Sequence, residues 1–92
     1  MKKTFELTHP KIKIPRMLDA IKFEIKKYVK RERRKPLPED ATYWDFDCRF
    51  GVIEDDASAI KLSQMNKKMD EATANGCTSF YVEILAKSVT RD

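Results

Sequence analysis

Three features of the sequence predict an α+β fold, a two-layer sandwich in which one antiparallel sheet carries both helices on the same face. The first is the stretch from Pro15 to Lys35, whose apolar residues recur at helical spacing. The second is a run from Tyr43 to Val52 that alternates apolar and polar residues without a break. The third is the same alternation from Thr78 to Lys87. A chain of 92 residues holds one such domain, residues 1–92. Its single core removes roughly 60 to 65% of the unfolded chain's surface from water.

Lys3 to Thr8 places Phe5 and Leu7 on one side and Thr4, Glu6 and Thr8 on the other, the pattern of a half-buried strand. His9-Pro10 ends it. Lys11 to Ile14 is a connection, because Pro10 removes a ladder donor and Pro15 suits a first helical position. On a projection of about 100° per residue, Met17, Leu18, Ile21, Ile25, Tyr28 and Val29 form one stripe, the core face of the first helix. Around the rest lie Arg16, Lys22, Lys26, Lys27, Lys30, Arg31, Arg33 and Arg34, with Phe23 among them on the wrong side for a core residue. Lys35 precedes Pro36, which disfavours helical geometry, and Pro36 to Asp40 is a stiff loop.

In the next strand Trp44, Phe46, Cys48, Phe50 and Val52 share one side, while Tyr43, Asp45, Asp47, Arg49 and Gly51 share the other. Glu54-Asp55-Asp56 reads as a turn. A single helix from Ala57 to Asn75 would cluster Leu62, Met65, Met69 and Ala72 but throw Ile60 to the opposite side. A short strand from Ser58 to Leu62 removes that conflict, with Ser63 as N-cap of a second helix ending at Asn75-Gly76. The last strand sets Phe80, Val82, Ile84 and Ala86 against Tyr81, Glu83, Leu85 and Lys87. The order is βαββαβ, the ferredoxin-like arrangement, with a three-stranded βαβαβ sheet as the fallback if Ile60 is helical. In the strand order 4-1-3-2 usual for that fold, Tyr81, Glu83, Leu85 and Lys87 lie on one edge. Asp45, Asp47 and Arg49 lie on the other.

The net charge of +4 hides a strong polarisation. Residues 11–35 carry eleven Lys or Arg against Asp19, Glu24 and Glu32, a local balance of +8, whereas residues 36–92 carry six basic and eleven acidic groups. Such a basic region attracts phosphates or an acidic partner. Neither a signal peptide nor an apolar run long enough for a membrane span stands out, and with two cysteines the expectation is a soluble, cytoplasmic protein. Cys48 on the apolar side of a strand and Cys77 after Gly76 read as small core or loop residues rather than a disulfide or metal pair.

The runs His9-Pro10-Lys11-Ile12-Lys13, Tyr28 to Lys35, Tyr43 to Gly51 and Phe80 to Lys87 together resemble a family of short bacterial proteins catalogued as a domain of unknown function. The resemblance spans nearly the whole chain and implies a bacterial cytoplasmic origin. It brings no known activity.

Lys22, Lys26, Lys30 and Arg33 fall within about 80° on the helical projection, with Phe23 close by and Arg34 following. A base can stack on an exposed aromatic flanked by cations, so this face predicts a non-enzymatic binding module for RNA, DNA or a nucleic-acid-containing assembly. The alternatives are a protein partner, either an acidic protein or a second copy forming a homodimer, and a merely solvated face whose last basic residues complement the helix dipole. A recognition-motif RNA binder would carry aromatics on the central strands, and this chain does not. Asp45, Asp47, Glu6 and Glu83 raise a third class, a small metal-dependent enzyme. Strand spacing keeps those four carboxylates apart, so no metal and no cofactor is assigned. His9 is the only histidine and sits before a proline, where a turn hydrogen bond suits it better than a catalytic role. No glycine-rich phosphate loop or paired-cysteine motif is present, and no catalytic residue is assigned.

Overall fold

The computed structural model describes residues 1–90. Strand β1 spans Lys2–Glu6, helix α1 Ile14–Arg33, β2 Tyr43–Gly51, β3 Ser58–Ile60, helix α2 Met65–Ala74 and β4 Ser79–Val89. The βαββαβ order is the predicted one, all strand pairs are antiparallel, and one core unites both helices with the sheet.

The strand order is β1-β4-β2-β3, not the expected 4-1-3-2. The outer pairs β1/β4 and β2/β3 are those expected, but the junction between them is β4 against β2 instead of β1 against β3. Strand length explains the exchange. β2 and β4 match over nine positions, from Tyr43 opposite Val89 to Gly51 opposite Tyr81, whereas β3 offers three residues and β1 five. Two long apolar strands remove the most backbone from water by pairing with each other. A consequence is that β4 is flanked by β1 and β2 where they overlap, so Tyr81 and Glu83 lie inside the sheet rather than on the expected edge.

The core is built from Phe5 and Leu7, from Leu18, Ile21, Ile25 and Val29 of α1, from Phe46 and Cys48, from Met65, Met69 and Ala72 of α2, and from Phe80, Val82 and Ile84. Phe80 lies at its centre, with ring centroids 6.1 Å from Phe5 and 5.3 Å from Phe50. Ile60 and Leu62 are half-buried against this cluster, as the strand reading requires, although Leu62 belongs to a 3-10 turn over Leu62–Gln64. Ser63 does not cap α2. Gln64 occupies the N-cap position without a side-chain cap, and its Oε1 instead accepts the Lys61 N–H at 3.0 Å, closing the start of the 3-10 turn. Val52, expected on the apolar side of β2, lies beyond the strand and is exposed.

The sheet's other face is not open along its length. Gly51 lets residues 52–57 fold back against β2, with Ala57 buried. Beneath that turn Tyr81 is 3% exposed and Glu83 7%. Tyr81 Oη donates to Glu83 Oε1 at 2.8 Å, Arg49 Nη1 lies 3.8 Å from the same oxygen, and Arg49 Nη2 donates to the Ala57 carbonyl at 2.7 Å. Burial first, and then the hydrogen bond to Glu83, push the Tyr81 phenol up to about 12. The cluster fastens the turn.

Candidate functional site

Helix α1 owes its position to its inner stripe. Leu18, Ile21, Ile25 and Val29 are buried, and Met17 and Tyr28 border the same cluster, which forces the remaining circumference outward. Pro15 opens the helix. Its C-terminal end is held by Trp44, whose indole Nε1 donates to the Lys35 carbonyl at 2.9 Å, and Lys30, Arg31 and Arg33 crowd the last turn where their charge opposes the helix dipole.

Phe23 is 62% exposed, the most exposed of the large apolar side chains described. It stands between two depressions. One, of about 680 Å³, is a groove between α1 and the start of α2, floored by Ile25, Val29, Leu62 and Met65 and rimmed by Lys22, Lys26, Lys30 and Arg33. The other, of about 600 Å³, crosses the outer surface of α1 between Phe23, Lys26 and Lys27 and the pair Arg31 and Arg34. Phe23, Lys26 and Lys30 line both, so they form the ridge of the site.

The six residues assigned from sequence all reach this region, but in different states. Lys22 is engaged: its Nζ lies 2.6 Å from Asp70 Oδ1 of α2, and its side chain is only 26% exposed. It ties the two helices at one end of the groove. Arg33 turns partly inward, its guanidinium carbon 5.4 Å from the Phe46 ring centroid. Lys27 approaches the Phe23 ring at 5.6 Å. Among the described residues, the side chains of Lys26, Lys30 and Arg34 make no ion pair and no hydrogen bond. Lys3, Lys35, Arg49, Lys68 and Lys87, by contrast, each stand against a carboxylate. Lys22-Lys26, Lys26-Lys30 and Lys30-Arg34 are like-charge pairs four residues apart, each costing the helix roughly 0.2–0.5 kcal/mol. An anion laid along the ridge relieves that repulsion.

The α2 side of the groove, with Ser63, Met65 and Asn66, was not legible in the sequence, because nothing local says which helix face lies beside α1. The same holds for Asp70 as the partner of Lys22. The acidic residues of the sheet do not assemble: Asp47 Oδ1 takes Lys87 Nζ at 2.8 Å, Asp45 accepts the Phe46 N–H at 2.8 Å, and Glu83 is occupied under the 52–57 turn. Among the described residues no group of three or more His, Cys, Asp and Glu side chains could hold a metal ion. His9 Nδ1 accepts the N–H groups of Lys11 and Ile12 at 3.0 and 3.1 Å, a turn hydrogen bonder as the sequence suggests. Cys48 is buried and its thiol is pushed up to about 11 by that burial, with Asp47 and Asp45 adding to it, so it is no nucleophile near neutrality. No described helix is long and apolar enough to cross a membrane.

No curated protein and no solved structure matches the chain. The model of a family of unknown function, DUF6172, matches residues 1–92, and the chain belongs to that family.

Proposed function

We propose that this protein is a binding module for nucleic acid, held on the outer face of α1. The observation that carries the reading is the ridge itself: Lys26, Lys30 and Arg34, unpaired among the described residues and one helical turn apart, beside an exposed Phe23. Cations at that spacing repel one another until phosphates neutralise them, and their burial against a phosphate backbone releases counterions. Phe23 adds a surface on which a base can stack. Lys22 and Arg33 border the ligand and hold the groove open toward it, rather than serving as primary charge contacts.

The test is a fluorescence-anisotropy titration of labelled RNA and DNA across a salt series. The logarithm of affinity is expected to fall linearly with the logarithm of salt, with a slope of roughly −0.7 to −0.9 for each phosphate engaged. The double variant Lys26→Ala/Lys30→Ala removes about two such contacts and flattens the slope accordingly. Binding that is absent, or unaffected by salt and by the double variant, overturns the proposal.

A further inference from the structure

We infer that the ligand is single-stranded and that at least one of its bases leaves the stack to enter the groove between α1 and α2. The inference rests on the nucleic-acid reading above and narrows it. A ridge of cations alone would serve duplex and single strand equally, since both present phosphates. What separates them is the apolar ground beside the ridge. Ile25, Val29, Leu62 and Met65 floor a groove of about 680 Å³ within reach of Lys26 and Lys30. That size lies in the range of small-molecule pockets and admits a nucleobase with its sugar. A duplex keeps its bases paired inside and has nothing apolar to put there.

Phe23 makes the same distinction. Its ring stands 62% exposed at the rim shared by the groove and the outer depression, so a base leaving or entering the groove passes over it. From Lys26 to Arg34 the helix rises about 12 Å, which spans roughly two or three phosphates of an extended strand. The footprint is short.

The experiment titrates the whole chain, by fluorescence anisotropy, into labelled oligo-uridine, oligo-thymidine and a blunt duplex, each of about a dozen nucleotides per strand. Single strands are expected to bind at least about tenfold more tightly than the duplex. Phe23→Ala is expected to weaken single-strand binding by about 5- to 150-fold and to leave duplex binding unchanged. Because Phe23 is exposed, the variant's melting curve should match the parent's and serves as the folding control. Equal or tighter binding of the duplex, or indifference of single-strand binding to Phe23→Ala, overturns the single-strand inference while a retained dependence on Lys26 and Lys30 preserves the broader proposal. No binding to any of the three probes overturns both.

Discussion

Gly51→Ala tests how the sheet's far face is closed. A Cβ at Gly51 would stand 2.7 Å from both Cα and N of Ala57 and 2.9 Å from the Ile53 carbonyl oxygen. All three are main-chain atoms, so no side-chain rotation relieves the contact and the whole 52–57 turn must lift. Overpacking of this kind costs about 1–3 kcal/mol. Lifting the turn also stretches the hydrogen bond from Arg49 Nη2 to the Ala57 carbonyl, 2.7 Å in the native protein, and partly exposes Tyr81. A total near 2 kcal/mol corresponds to a melting temperature lower by about 8–16 °C in a domain of this size. Gly76→Ala is the matched control. Gly76 has φ of 80° with nothing within 4 Å of an added Cβ, so its cost is only that of left-handed backbone, about 1 kcal/mol. Thermal and urea unfolding followed by circular dichroism compares the two. If Gly51→Ala melts no lower than Gly76→Ala, the account of the closed face is wrong.

Two further outcomes concern titration and reactivity. Cys48 and Tyr81 keep their protons in the folded protein to about 11 and about 12, against 9.0 and 10.0 for the unperturbed groups. From about pH 9 upward the unfolded chain therefore binds fewer protons than the folded one, so stability holds below that point and falls as pH climbs toward 12. Urea midpoints measured up the alkaline range should show this decline, with Tyr81→Phe flattening its part above about pH 10; constant midpoints would contradict the burial of both groups. Cys77 is half-buried and Cys48 buried, with neither in a disulfide. A disulfide reagent should therefore modify Cys77 in the native protein and reach Cys48 only on unfolding, and simultaneous modification of both would argue against the packing of β2 on the helices.

Much of the candidate site is legible in the sequence. The stripe through Leu18, Ile21, Ile25 and Val29 dictates a buried flank, and it follows from periodicity that Phe23, Lys26, Lys30 and Arg34 face away from it. The stop at Pro36 and the alternation of β2 and β4 are equally local signals. The fate of Lys22 was not legible, since its partner Asp70 lies 48 residues away and no spacing rule links them. Nor was the apolar groove, which exists only where two helices that are distant in sequence lie side by side.

Strand order marks the same boundary. Each strand's faces are set by its own alternation, so the sequence alone determined which residues turn toward the helices and that the fold is a two-layer α+β sandwich. Which strand lies beside which is a competition between pairings, and here the nine-position match of β2 with β4 prevails over anything β3 or β1 can offer. That outcome made Tyr81 and Glu83 central rather than marginal, and the close approach of Ala57 to Gly51 then buried them. Periodicity is a property of one segment at a time, whereas pairing, closure and the groove beside Phe23 depend on distant segments meeting, and only the tertiary structure decided those.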